Sequence, residues 1–103
     1  MILRFSTPAI SEIEDIRDWY DQRESGLGNK FLADLRDALE SIESHPHGCP
    51  LEETNPSNRN VRRRMLNKFP FRVIFELKVE RIFVLTVAHH HRQPGYWSDR
   101  LED

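Results

Sequence analysis

Two groups of side chains in this sequence have the types and spacing to do chemistry. The first is a run of cations, Arg62-Arg63-Arg64, followed by Lys68 and Arg72, with Arg92 further on. Guanidinium groups bind phosphates and carboxylates, and a cluster of them marks a surface for an anionic partner better than any one arginine does. The second group is His89-His90-His91, with Tyr96 and Trp97 behind it. Imidazole moves protons near neutral pH, and histidines two apart on a strand point to one side, as metal ligands do. No carboxylate or cysteine stands at a convincing spacing to complete such a site. Packing at a strand end is therefore the better reading, and neither a metal nor another cofactor is expected. Cys49 is the only cysteine, which excludes an internal disulfide, and it reads as a loop thiol.

Strands must hold these groups. Residues 61–66, 69–77 and 81–89 are rich in Val, Ile, Phe and Leu and read as three strands. The polar stretch Lys78-Val79-Glu80-Arg81 predicts a hairpin between the last two. If that hairpin turns on Val79-Glu80, one face carries Phe71, Val73, Phe75 and Leu77 with Ile82, Val84, Thr86 and Ala88. The other carries Arg72, Ile74 and Glu76 with Phe83, Leu85, Val87 and His89, which puts Arg72 and His89 on one surface. Alternation through the arginine run sends at least one more guanidinium to join Arg72. A basic groove on this second face is the expectation, with Arg59 and Lys68 nearby in sequence.

Upstream, Ile2, Leu3 and Phe5 form a short strand that ends at Ser6-Thr7-Pro8, read as a helix start with Thr7 as N-cap. Ala9, Ile13, Ile16 and Tyr20 then recur at helical spacing. Ser25-Gly26-Leu27-Gly28 breaks the pattern, and Gly28, Phe31, Leu35, Ala38 and Ile42 resume it, widened by Leu32 and Leu39. Two antiparallel helices follow, the second ended by His45-Pro46. Trp19 and Tyr20 read as helix packing. Residues 46–60, with three prolines, read as an irregular loop. The expected architecture is one α+β domain over residues 1–103, ordered β-α-α-β-β-β, with a helical hairpin packed on one face of a small, mainly antiparallel sheet.

The chain has 103 residues, 38% apolar and 31% charged, which suits one soluble domain. Its apolar stretches are far too short to cross a bilayer and its N-terminus lacks the marks of a secretory signal, so a cytoplasmic protein with no membrane partner is expected. The net charge of −2 hides a division: residues 1–57 hold twelve Asp/Glu against five Lys/Arg, and residues 58–103 hold five against ten. The basic surface is therefore localised in the second half.

The stretch Asn60-Val61-Arg62-Arg63-Arg64-Met65-Leu66, then Phe69-Pro70-Phe71-Arg72, then Ile82-Phe83-Val84-Leu85-Thr86-Val87-Ala88-His89, resembles the RelE/ParE superfamily of toxins. The ending His89-His90-His91-Arg92-Gln93-Pro94-Gly95-Tyr96-Trp97 is similar to the tail of its ParE-like, plasmid-stabilisation branch. The resemblance covers nearly the whole chain and implies the toxin half of a bacterial type II toxin-antitoxin pair. RelE-like members cut messenger RNA on the ribosome; ParE-like members poison DNA gyrase.

RNA cleavage by the 2′-hydroxyl needs a base, an acid and cations on the phosphorane. By resemblance, the nuclease candidates are Arg72, which matches a phosphate-holding arginine, His89, which lies where some nucleases keep an acid, and Arg64 and Tyr96. The glutamate of certain nucleases falls on Cys49 here, ahead of Pro50-Leu51, with Glu52 and Glu53 shifted. A ribosomal enzyme must also settle among phosphates, for which net −2 and a pI near 6.2 are poorly suited. The ParE-like reading is preferred: gyrase as target rather than ribosome and mRNA, and no enzymatic activity of its own; the alternative is a metal-independent endoribonuclease. A third reading is an antitoxin-binding module with weak or lost toxicity. Target or nucleic acid would meet Arg62, Arg63, Arg64, Lys68, Arg72, Arg92 and Trp97. A cognate antitoxin would land on Leu27, Phe31 and Leu32 or in the basic groove, in a hetero-oligomer.

Overall fold

The helical and alternating stripes fold in the order β1 (Ile2–Phe5), α1 (Thr7–Arg23), α2 (Leu27–Ser44), β2 (Val61–Met65), β3 (Phe71–Leu77) and β4 (Arg81–His89). This computed structural model describes residues 1–53, 58–93 and 95–101; residues 54–57 of the expected loop, and Pro94, Glu102 and Asp103 of the tail, lie outside the described residues. The strands run β1-β4-β3-β2 across one sheet, antiparallel except for the β1–β4 pair. Both helices cover one face, giving the expected α+β fold. Ala9, Ile13, Ile16 and Tyr20 of α1 and Phe31, Leu35, Ala38 and Ile42 of α2 pack on Phe71, Val73, Phe75 and Leu77. No helix among the described residues is long and apolar enough to cross a membrane.

Ser6, not Thr7, caps α1. Its Oγ accepts the Ala9 N–H at 3.1 Å and donates to the Leu85 carbonyl at 2.9 Å, so the cap is also the tie between α1 and β4. Between the helices Gly26 takes φ +89°, a left-handed conformation that glycine adopts without steric cost. Gly28 is required for a different reason, close approach. A Cβ there would stand 2.6 Å from the Arg17 carbonyl oxygen and 2.8 Å from Asp21 Oδ1, which accepts the Gly28 N–H. Gly28→Ala should therefore cost about 2 kcal/mol by forcing the helices apart, despite the better helix propensity of alanine. Urea unfolding of the variant measures this, and an unchanged midpoint would contradict the contact.

The turn after β2 is set from α2. The buried Asp34 carboxylate accepts the backbone N–H groups of Asn67, Lys68 and Phe69 at 3.2, 2.8 and 3.0 Å. These charge-assisted bonds hold the register that pairs Arg63 with Ile74 and Met65 with Arg72.

The final hairpin departs from simple alternation. Leu77 faces Ile82 and Phe75 faces Val84 as expected, but Ile74 then faces Thr86 and Phe71 faces His89. Leu85 is the extra residue of a β-bulge, and one unpaired residue exchanges the faces of everything after it. Val87 joins the core under the helices, while Thr86 turns to the second face with Phe83 and Leu85. The face assignment expected for Thr86, Val87, Ala88 and His89 is thereby reversed.

Candidate interaction site

Arg72 projects from β3 onto the second sheet face with 13% of its side chain exposed. Its Nε lies 3.6 Å from Oε2 of Glu52, whose side chain is 5% exposed. Glu52 Oε1 lies 3.8 Å from Nη1 of Arg63, and Glu53 stands 3.7 Å from the other end of that guanidinium. A buried carboxylate thus sits between two arginines, with Glu52 Oε2 and Arg72 Nε lacking a direct hydrogen bond. Strand parity places Arg63 here, since β2 pairs it with Ile74. Glu52 arrives by a route the sequence hides: its N–H bonds the Val61 carbonyl at 2.9 Å and Leu51 bridges to Arg62, adding a short extended segment outside β2.

His89 does not join this group. The bulge sends it under the helices, where its ring packs 5.2 Å from Phe71 in a groove of about 380 Å³ shared with Asp15, Ile16, Trp19 and Tyr20. The expected Arg72-His89 surface is therefore corrected: the two lie on opposite faces of the sheet. Arg72 instead points Nη1 at the His90 carbonyl, 3.5 Å away. Burial, then the charge of Arg72 and then the neighbouring histidines, holds the His90 imidazole below its ordinary pKa. His89 and His91 stack at 5.2 Å, and no group of three His, Cys, Asp or Glu side chains among the described residues could hold a metal ion.

The open basic groove is also corrected. Part of the second face is covered by the tail: Trp97, 1% exposed, sits on Val61, Ile74, Phe83 and Leu85. Tyr96 bonds Thr86 through its hydroxyl, and Arg100 reaches Glu12 of α1 at 3.0 Å and the Leu85 carbonyl at 3.1 Å. Burial above all raises the Tyr96 phenol pKa, with Glu12 adding to it, so this tyrosine holds its proton at neutral pH. Elsewhere the arginines of this face meet carboxylates: Arg59 forks onto the buried Glu76 at 2.5 and 2.9 Å, and Arg63 and Arg72 share Glu52. Trp97 is thus a core residue of the second face rather than an exposed contact, its ring packed within the apolar cluster.

The remaining expected residues divide. Arg62 and Arg64 pair with Phe75 and Val73, hence lie on the helix side at the sheet edge. Arg62 donates to the His47 and Cys49 carbonyls at 3.0 and 2.7 Å. Burial raises the Cys49 thiol pKa against the pull of Arg64 and Arg62. Lys68 is exposed on the turn, and Arg92 lies over the Tyr96 ring at 4.1 Å. Phe31 is fully buried between helices and sheet and offers no landing surface, because it fills the centre of the aromatic cluster with Tyr20, Phe69 and Phe71; Leu27 and Leu32 stay half-buried. Tyr20 packs as expected, whereas Trp19 is 49% exposed beneath the Arg23 guanidinium. Its helical position beside Asp15 and Ile16 was the one available signal for the groove.

Residues 3–94 match the family described as the ParE toxin of the type II toxin-antitoxin system, parDE. Among solved structures, the chain resembles one described as the chromosomal ParDE toxin-antitoxin system from P. aeruginosa. The TM-score is 0.70 at 22% identity, covering 86% of this chain and 95% of that one. No curated protein matched the sequence.

Proposed function

Because this chain belongs to the ParE toxin family of type II toxin-antitoxin systems, we propose that it poisons DNA gyrase and is held silent by a cognate antitoxin. The observation that carries this reading is the family match across nearly the full fold, joined to the way the site is arranged. A nuclease needs its base, acid and phosphate-binding cation around one point. Here Arg72 and His89 stand on opposite sheet faces, Glu52 is buried between two guanidinium groups, and the Tyr96 hydroxyl is bonded to Thr86. This dispersal supports recognition of a protein target over cutting of RNA. Within the proposal, Arg62, Arg63, Arg64, Lys68, Arg72 and Arg92 supply the cationic part of the target contact. Leu27 and Leu32 remain available to the antitoxin.

The test combines purified protein, gyrase, plasmid and ATP and scores linear DNA after denaturation. Linear plasmid should accumulate with toxin concentration. Normal supercoiling without linear product at excess toxin would remove the gyrase reading and leave RNA cleavage or an inactive module.

A further inference from the structure

We propose that the hollow between the second half of α1 and the paired ends of β3 and β4 is a binding site for a small organic cation, an amidinium or alkylammonium carried on an apolar body. The site is independent of the toxin reading above and lies on the sheet face opposite Arg72.

Asp15, Ile16, Trp19, Tyr20, Phe71 and His89 line this hollow of about 380 Å³, within the roughly 300–1,000 Å³ usual for small-molecule sites. Positions 15, 16, 19 and 20 fall on one face of α1, and β3 pairs Phe71 with His89, so helix and sheet each supply two rings. The rings run Trp19, Tyr20, Phe71, His89, with centroids 5.0, 6.3 and 5.2 Å apart and successive planes at 86°, 75° and 86°. Turned edge to face in this way, the four side chains cannot all show edges to one hollow. Ring faces therefore bound it, and these carry the negative end of the π quadrupole. A cation is the ligand such walls attract. Trp19 already holds one on its own account: the Arg23 guanidinium lies 3.2 Å from its ring centroid, and Arg23 is not among the groups that line the hollow.

Among the described lining residues Asp15 alone is charged. His89 enters as a neutral ring, because its Nδ1 accepts the His91 N–H at 3.1 Å, and burial raises the Tyr20 phenol pKa, which keeps that ring neutral too. The Asp15 carboxylate makes no hydrogen bond or ion pair among the described residues. Its neighbours are committed elsewhere: Arg17 to Asp18 at 3.0 Å, Glu12 of the adjoining hollow to Arg100 at 3.0 Å, and Arg92 to the Tyr96 ring at 4.1 Å. A neutral occupant would strip water from Asp15 without replacing it, and an anion would be repelled. An amidinium or ammonium instead pairs with the carboxylate while its body lies on Ile16 and Phe71.

The probes are benzamidine, its neutral isostere benzamide and the anion benzoate, each titrated into the isotopically labelled full chain. The Trp19 indole N–H signal reads the hollow, and that of Trp97, buried on the other sheet face, is the internal reference. Benzamidine should shift Trp19 and not Trp97. It should bind about tenfold or more tighter than benzamide or benzoate, and less tightly as salt is added. Asp15→Asn keeps the size of the side chain and should weaken benzamidine about tenfold, to the level of benzamide. Trp19→Leu, read at the His89 ring, keeps an apolar wall but removes a π face and should weaken it about fivefold. Both residues are exposed, so neither variant threatens the fold. Equal binding of benzamide, an unchanged affinity of either variant, or shifts shared by Trp97 would each overturn the proposal. The first of these would mark the hollow as merely apolar. Each outcome is read by binding alone and stands whatever the gyrase assay gives.

Discussion

Trp97→Ala will lower the unfolding free energy by about 3–5 kcal/mol, the range for removing a buried tryptophan. The indole is almost wholly enclosed and closes a second core with Val61, Ile74, Phe83 and Leu85, on the sheet face away from the helices. A domain of this size is stable by only about 5–15 kcal/mol, so much of the margin would go. The loss combines the transfer free energy of the ring with the void it leaves, since strands on that face cannot collapse into the gap. Arg100→Ala should be milder. It removes the tie to Glu12 and the Leu85 carbonyl but leaves the plug in place. Urea denaturation followed by far-ultraviolet dichroism gives both values. A Trp97→Ala loss below about 1 kcal/mol would mean that the tail rests on the sheet without stabilising it.

The second large effect is expected at Glu52 and Arg72. Arg72→Leu should cost about 3 kcal/mol, because it leaves a buried carboxylate with only the more distant Arg63 for compensation. Replacing both members, Glu52→Leu with Arg72→Leu, should recover much of this, since apolar groups of similar volume carry no desolvation penalty. The double-mutant cycle is the measurement, and its coupling should exceed about 1 kcal/mol. Additive effects would show that the two groups are separately solvated. The cycle also bears on function. If the single and double variants are folded at the assay temperature and still poison gyrase, the pair is structural, and the cations at the β2 edge are left as the target contact.

The order of the elements was legible because each rests on short-range periodicity. Ala9, Ile13, Ile16 and Tyr20 form an apolar stripe in any helix, and the Val, Ile and Phe runs of β3 and β4 favour strands. The break at Ser25-Gly26 forces the hairpin. The family resemblance was legible for the same reason, since it rides on strand residues and on Phe69-Pro70-Phe71-Arg72 in order.

The candidate site was legible only in part, and each failure has a tertiary cause. Arg63 was within reach of parity. Glu52 was not, because the segment that carries it pairs with β2 through backbone bonds that any side chains would permit. Thr7 lost the cap to Ser6 because Ser6 alone also reaches the Leu85 carbonyl.

By itself the sequence determined the α+β order, the faces of both helices and the family, all properties set by near neighbours along the chain. The tertiary structure decided which groups meet across the sheet. One unpaired residue, Leu85, turned His89 away from Arg72, and the tail brought Trp97 back over Ile74. Both outcomes depend on contacts between residues distant in sequence, and a periodicity that counts residues along one strand carries no term for them.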